Sequence, residues 1–136
     1  AAGPTSNDLP LLRYADVLLT HAEAINGLRN GSNSEALAAI NAVRKRARFD
    51  GTQELNILPN LGSMNFADFQ AAILEERLRE LAWEGHRWFD LVRMGKLEEK
   101  VLAAKPGSPV SAKHRMFPIP QREIDLNPNL TQNGGY

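Results

Sequence analysis

The sequence contains no cysteine. This absence excludes a disulfide framework, a thiolate metal site and a cysteine nucleophile. It does not identify the compartment, because many secreted proteins also lack cysteine. The 136 residues must be held together without covalent cross-links. That is feasible, because a domain of this length buries roughly two thirds of its unfolded surface.

The sequence also has no excess of charge of one sign and no long apolar run. The 16 Lys and Arg residues balance the 16 Asp and Glu residues. No net field therefore attracts nucleic acid or an anionic membrane, and we expect no nucleic-acid partner. No run of about 18 apolar residues is present, so no transmembrane helix is predicted.

The start of the chain shows neither an initiator Met nor a signal-peptide pattern. Residues 1–8 are small, polar and rich in turn formers, which is typical of a linker or a truncation scar. We expect residues 9–136 to form one helical domain.

Hydrophobic periodicity predicts a pair of helices early in the chain. The first runs from Leu9 to about Leu28, with Asp8 as its N-cap. The second begins at an S-x-x-E capping box formed by Ser32 and Glu35. Their predicted apolar faces comprise Leu11, Ala15, Leu18, Ala22 and Ile25, and then Ala36, Leu37, Ile40, Val43 and Ala47. The short connection favours antiparallel packing, as in one unit of a helical repeat.

A third, long helix follows a predicted surface loop over residues 52–63. It is predicted to begin near Asn65. Its apolar positions are Ala71, Leu74, Leu78 and Leu81, flanked by Phe66, Phe69 and Ile73.

Glycine and proline divide the remaining chain. Gly85 is expected to bend or end the third helix, because glycine costs about 1 kcal/mol in a helix interior. The helix then restarts at Trp88 and closes at Gly95. Pro118 and Pro120 forbid a helix around them, so an extended Pro-rich C-terminal tail is predicted.

Three carboxylates, those of Glu76, Glu80 and Glu84, share one stripe of the third helix. Such a stripe suggests a carboxylate metal site or the acid pair of a glycoside hydrolase. A di-metal bundle, however, needs Glu-x-x-His motifs on more than one helix, and that pattern is absent. We therefore expect no metal, no cofactor and no catalytic residue. The better interpretation is structural pairing with Arg77, Arg79, Arg87 and Arg93.

Aromatic and basic residues allow two interpretations each. Trp83 and Trp88 are candidate ligand-binding residues, because an aromatic face suits the apolar face of a sugar ring; at helical spacing they more often fill a core. If both are buried, this portion is scaffold. The basic run from Arg44 to Arg48 lies at a helix C-terminus, where its charge complements the helix dipole.

Four blocks of sequence resemble, in the same order, the C-terminal region of SusD/RagB-family proteins. The blocks are Arg13–Leu19, Ala39–Arg44, Glu75–Gly95 and Pro118–Leu130. The pairing of the EGHRWFDL motif at residues 84–91 with the later PIPQ motif is the most specific feature. One departure lies at the end, where the family commonly finishes Asn-Pro-Gly-Tyr and this chain has NGGY.

The resemblance implies an all-α fold built on tetratricopeptide-like antiparallel helix pairs, here one pair plus the third helix and the tail. Proteins similar to this one are lipid-anchored at the bacterial outer membrane, where they cap a SusC-like TonB-dependent transporter. They bind oligosaccharides, or in some members peptides, without catalysis. Because family members are several times longer, the resemblance implies that this chain is a C-terminal scaffold portion. The ligand site is then expected upstream.

Within that scaffold, the charges of the Glu75–Gly95 block are expected to form a structural ion-pair network. Its predicted members are Arg77, Glu80, Glu84, Arg87, Asp90 and Arg93. We expect Arg87→Ala or Asp90→Ala to destabilise the fold more than it alters ligand binding, because a stranded buried charge costs about 3 to 5 kcal/mol. The competing function is a helical-repeat module that holds another protein and has no sugar site of its own.

Overall fold

The computed structural model describes residues 11–136, and every regular element in this part of the chain is helical. The α-helices are α1 (Tyr14–Arg29), α2 (Ser34–Ala47), α3 (Phe66–Glu80), α4 (Arg87–Arg93), α5 (Leu97–Ala104) and α6 (Gln121–Leu126). A short 3₁₀ helix spans Ala112–Arg115. The all-α prediction is confirmed. No helix among residues 11–136 has the length and apolar character needed to cross a bilayer.

The chain divides into two compact units, one ending at Gly85 and the other spanning His86–Tyr136. Gly85 has a φ of +82°, a left-handed conformation that glycine adopts without steric cost. The third helix was predicted to bend or end at this glycine; α3 instead ends at Glu80, and residues 81–85 form a turn. A single domain over residues 9–136 stays a prediction, and the proposed linker and the Asp8 cap lie outside the described residues.

In the first unit, α1 and α2 form the most extensive helix contact. Arg13, just before α1, and Arg46, in the last turn of α2, both bond the carboxylate of Glu80. The start of α1 therefore lies beside the end of α2, as an antiparallel pair requires. A closer likeness to a tetratricopeptide unit stays a prediction.

The core of the first unit differs in part from the predicted apolar faces. Its buried apolar side chains are Leu19, Ala22, Ile25, Ala36, Ala39, Ile40, Val43, Phe69, Ile73, Leu74 and Leu81. The predicted core positions Leu11, Ala47, Ala71 and Leu78 are exposed. Of the three side chains predicted to flank the face of α3, Phe69 and Ile73 are fully buried instead, whereas Phe66 is exposed. Packing selects the stripe with the larger apolar area.

The helix starts also correct two predictions. α1 begins at Tyr14, and the preceding described residues are not helical. The Ser32–Glu35 capping box does not form: Asn33 Oδ1 caps α2 by accepting a hydrogen bond from the Ala36 N–H at 2.8 Å. Ser32 Oγ instead accepts from the N–H of Met64 at 2.8 Å and donates to its carbonyl at 3.1 Å. This serine therefore ties the start of α2 to the residues before α3.

The second unit contains two helices that periodicity missed. The restart after Gly85 is confirmed in α4, and Gly95 closes that segment with a φ of +64°. Beyond it, α5 and α6 are too short to show a clear hydrophobic period. The tail is extended only around its prolines, so the prediction of an extended tail is wrong over Gln121–Leu126.

The end of the chain folds back on the second unit through side-chain amides. Gln132 accepts from the N–H of Ile119 and donates to its carbonyl, each at 2.8 Å. Asn133 Nδ2 donates to the carbonyl of Phe117 at 2.6 Å. The hydroxyl of Tyr136 donates to the carbonyl of Met116 at 3.0 Å. These side chains satisfy backbone groups that a neighbouring strand satisfies in a sheet.

The cap of α2 distinguishes the observed structure from the predicted one. Asn33→Ala is expected to lower the free energy of unfolding by about 1 kcal/mol, because the Ala36 N–H loses its partner. The control Glu35→Ala is expected to stay within about 0.5 kcal/mol. Urea unfolding followed by circular dichroism measures both variants. A larger loss for Glu35→Ala than for Asn33→Ala would restore the capping box.

Candidate functional site

The three carboxylates predicted to share one helical stripe are held by arginines from other elements. Glu76 and Glu80 belong to α3, but Glu84 lies in the turn beyond the end of that helix. Glu76 is buried, and its Oε2 accepts from Arg44 Nη1 of α2 at 2.6 Å. The same guanidinium donates through Nε and Nη2 to the carbonyl of Pro59 at 2.9 and 2.8 Å. Arg44 therefore joins α2, α3 and the loop between them. Because both charges are buried and bonded, neither is available to a ligand.

One guanidinium bonds the carboxylates of both Glu80 and Glu84. Arg13 donates to the side chain of Glu80, to its backbone carbonyl at 2.9 Å, and to Glu84 Oε1 at 2.6 Å. Arg46 donates to the other oxygen of Glu80. Burial lowers the pKa of Arg13, but the hydrogen bond and charge of Glu80, together with the charge and hydrogen bond of Glu84, outweigh it and raise that pKa. We call this group, Arg13, Arg46, Glu80 and Glu84, the Arg13 clamp.

A second contact joins α1 to α3. Arg77 is buried, and its Nη1 donates to Asp16 Oδ1 at 2.7 Å. Further along, Asn26 Nδ2 donates to the carbonyl of Phe66 at 3.1 Å and to Gln70 Oε1 at 3.0 Å. The two contacts lie near opposite ends of α1, so they fix the register of α1 against α3.

The basic end of α2 holds the loop that follows it. Arg48 is nearly buried, pairs with Glu54, and donates to Asn60 Oδ1 at 2.8 Å. Asn41 exchanges two hydrogen bonds with the backbone of Leu61, at 2.8 and 3.0 Å. The helix-dipole interpretation of this run therefore missed its main role. Only the tertiary fold shows that the segment predicted as a surface loop accepts hydrogen bonds from these side chains.

The six predicted network residues fall in both units. Glu80 and Glu84 meet through Arg13, which the sequence analysis did not include. In the second unit, the buried carboxylate of Asp90 accepts from Arg93 Nη2 at 2.8 Å and Nε at 3.1 Å. A single network that includes Arg87 stays a prediction.

The two tryptophans have different environments. Trp83 is fully exposed, with 103% relative accessibility, and its φ is +67°. Trp88 is half-buried, and its ring stacks on that of Phe117 with centroids 6.1 Å apart. Burial of both rings, which would have marked this portion as scaffold alone, is therefore not observed. A left-handed φ is unusual for a bulky residue, so the Trp83 turn is held by its surroundings.

The arrangement is suited to holding elements together. Each of these three carboxylates accepts hydrogen bonds from arginine, and the two that lie on α3 are almost inaccessible. Across residues 11–136, no group of three or more histidine, aspartate or glutamate side chains has the geometry to hold a metal ion. Among the exposed large apolar side chains of residues 11–136, the ring of Trp83 has the highest accessibility.

Comparison with known proteins identifies relatives along nearly the whole chain. A sequence profile of the SusD family matches residues 2–136. The starch-binding protein SusD of Bacteroides thetaiotaomicron is 35% identical over 135 residues, which cover 95% of this chain and 22% of that protein. The chain spans about a quarter of the length of the curated relatives it matches.

Solved structures show the same similarity in three dimensions. The crystal structure of a SusD homolog from Bacteroides thetaiotaomicron superposes with a TM-score of 0.80 at 38% identity, covering 93% of this chain and 26% of that one. A laminarin-binding SusD-like protein superposes with a TM-score of 0.67 at 35% identity, covering 93% of this chain and 23% of that one.

The buried Arg44–Glu76 pair is expected to dominate the stability of the first unit. Glu76→Gln is expected to cost about 3 to 5 kcal/mol, because it leaves the Arg44 charge buried without its counter-ion. Replacing both partners, Arg44→Met with Glu76→Leu, is expected to recover most of that loss. Urea unfolding measures each variant.

Arg79 supplies the matched control for this pair. It approaches the same carboxylate at 4.0 Å, but its side chain is 59% exposed. Arg79→Ala is therefore expected to cost no more than about 1 kcal/mol. Equal losses for Glu76→Gln and Arg79→Ala would show that burial does not set the strength of this contact.

Asp90 is the corresponding test in the second unit. Asp90→Ala is expected to lower stability by about 1 to 3 kcal/mol, because a buried acceptor of the Arg93 guanidinium is lost. The exposed Asp125, which bonds Gln121 at 2.8 Å, serves as control, and Asp125→Ala is expected to change little. Thermal melts at one fixed protein concentration measure both. A wild-type melting temperature for Asp90→Ala would contradict the structural role.

Proposed function

The chain belongs to the SusD family, and from this membership we propose that it is the scaffold portion of a glycan-binding protein. The whole protein works as the non-catalytic binding component of an outer-membrane uptake system. It is lipid-anchored at the cell surface and passes oligosaccharides to a SusC-like TonB-dependent transporter.

The observation that carries this proposal is the family match across residues 2–136, which includes both compact units. One relative is a starch-binding protein and another is a laminarin-binding protein. Both ligands are neutral polysaccharides. A neutral polysaccharide is therefore the proposed ligand class of the whole protein.

Binding without catalysis is supported by the state of the carboxylates. Glycoside hydrolysis needs two carboxyl groups that face the sugar, one of them free to transfer a proton. In the α3 stripe, Glu76 and Glu80 are instead bonded to arginines, with only 3% and 4% of their side chains accessible. The carboxylates most suggestive of an active site are therefore occupied by structural contacts.

The glycan site is proposed to lie outside this chain, in the portion that only the longer relatives contain. Sugar hydroxyls are recognised by polar groups that converge beside an aromatic face. Glu80 and Glu84, which flank Trp83 in sequence, are already bonded by the arginines of the Arg13 clamp. Two alternatives remain, a helical-repeat module that holds another protein and a SusD-like protein that binds peptides. The exposed Trp83 ring favours the first over the second.

A chimera tests the proposal. The corresponding quarter of the Bacteroides thetaiotaomicron starch-binding protein is replaced by this 136-residue chain, and migration is measured in native gels with and without starch. The chimera is expected to be retarded by starch, because the scaffold is exchanged and the ligand site is kept. The isolated chain is expected to migrate unchanged.

The same samples also report on catalysis. Incubation with starch or laminarin is expected to release no reducing ends. Release of reducing ends by either protein would contradict the non-catalytic function. Retardation of the isolated chain that is lost in Trp83→Ala would instead place a sugar site within this portion.

A further inference from the structure

At four places in the chain an asparagine or aspartate stands directly before a glycine. They are Asn26–Gly27, Asn30–Gly31, Asp50–Gly51 and Asn133–Gly134. At such a pair the peptide nitrogen of the glycine attacks the side-chain carbonyl carbon, because the glycine has no Cβ to hinder the approach. In asparagine the new N–Cγ bond forms as ammonia leaves, and water then opens the cyclic succinimide to aspartate or isoaspartate. The reaction needs an unbonded peptide N–H, a mobile side chain and an electrophilic carbonyl carbon.

Helix α1 protects the first two pairs. Asn26 is fully buried, and its Nδ2 donates to the carbonyl of Phe66 and to Gln70 Oε1. Asn30 is the C-cap of α1, with a left-handed backbone at a φ of 55° and a ψ of 41°. The N–H of Gly31 donates to the carbonyl of Asn26 at 3.3 Å, which holds the attacking nitrogen within the cap. Both pairs therefore react only after the end of α1 has opened.

The third pair is protected by hydrogen bonds to its carboxylate. Asp50 Oδ1 accepts from the N–H of Gln53 and from the N–H and hydroxyl of Thr52, each at 2.8 Å. These hydrogen bonds, from Gln53 and then Thr52, lower the pKa of Asp50 and keep its side chain ionised at neutral pH. An ionised carboxylate is a poor electrophile, because its negative charge opposes the attacking nitrogen.

The pair Asn133–Gly134 lacks each of these protections. It lies outside the helices, and within residues 11–136 the N–H of Gly134 has no hydrogen-bond acceptor. Gly134 is exposed and Asn133 is half-buried. The side chain of Asn133 makes one hydrogen bond, from Nδ2 to the carbonyl of Phe117. The attacking nitrogen is therefore unbonded, and a single contact restrains the group that it attacks.

We propose that Asn133 is a site of spontaneous deamidation, and that its conversion releases the contacts of residues 132–136 with residues 116–119. We call these contacts the C-terminal fold-back. The reaction replaces an amide that donates to the carbonyl of Phe117 by a carboxylate, which has no proton to donate and repels that oxygen. The bonds of Gln132 to Ile119 and of Tyr136 to Met116 lie on either side and loosen with it.

Peptide mapping by mass spectrometry measures the conversion of each asparagine while the 136-residue chain is incubated at neutral pH. In the folded chain Asn133 is expected to convert at least about tenfold faster than Asn26 or Asn30, because a protected site reacts only in the locally opened fraction of molecules. In urea the three rates are expected to become similar, since each asparagine precedes a glycine. Heavy-oxygen water is expected to label the new carboxyl group, because water opens the succinimide.

Gly134→Ala is the matched variant for the chemical step. It keeps the side chain of Asn133 and its bond to Phe117. A Cβ at residue 134 meets no atom within 4 Å beyond its chain neighbours, and Gly134 is not among the glycines with a positive φ, so alanine fits without strain. The variant is expected to slow the conversion of Asn133 about tenfold, because the methyl group hinders the attacking nitrogen.

Asn133→Asp reproduces the aspartate product and tests the structural consequence. The amide of Ile119, which donates to Gln132 Oε1 at 2.8 Å, reports on the fold-back. Its hydrogen exchange is expected to rise about tenfold in Asn133→Asp, because the neighbouring bond to Phe117 is lost. Gly134→Ala is expected to exchange like the parent chain. The amide of Leu81, which bonds the carbonyl of Arg77 in the first unit, is the internal reference.

Two results would overturn the inference. Equal conversion of Asn133 and Asn30 in the folded chain would show that the fold-back protects its pair as well as the helix cap does. Unchanged exchange of the Ile119 amide in Asn133→Asp would show that the amide of residue 133 does not hold the fold-back. Neither measurement involves a glycan. Failure here leaves the proposed function unaffected, and a chimera that fails to bind starch leaves this inference unaffected.

Discussion

The first unit depends on burying opposite charges where helices meet. Arg44 reaches Glu76 and the carbonyl of Pro59 together, so one guanidinium sets the positions of α2, α3 and their connecting loop. Losing either partner strands a charge away from water, which is among the costliest single changes a small domain can suffer. This requirement explains why a chain without disulfides carries so many arginines in its helices. The apolar core holds the helices together, and the ion pairs restrict their packing to one arrangement.

The Arg13 clamp extends this logic to the surface. By bonding both Glu80 and Glu84 it fixes the turn at the end of the first unit, which carries the exposed ring of Trp83. The charged side chains of the clamp fix the position of the exposed ring without contacting a partner themselves. That division fits a family scaffold, in which one portion supplies rigidity and another binds the ligand.

The sequence predicted those helices whose start residues, stop residues and hydrophobic period lie within the segment itself. The start of α3 near Asn65 and the close of the α4 segment at Gly95 agree with the predictions. Predictions failed where several local solutions compete. Asn33 displaced the serine that looked like the better cap because that serine bonds Met64 across the fold. The short helices α5 and α6 escaped notice because a few turns show no reliable hydrophobic period.

The sequence by itself determined the all-helical class, the family and the engagement of the α3 carboxylates by arginine, because composition, periodicity and ordered motifs are properties of the chain. The tertiary structure alone decided which arginine meets which carboxylate. Arg13 and Glu80 are 67 positions apart, and Arg44 and Glu76 are 32 apart. Pairing over such separations depends on how whole helices pack, so spacing within one helix cannot reveal it. The same packing left Trp83 outside, although its neighbours suggested a core position.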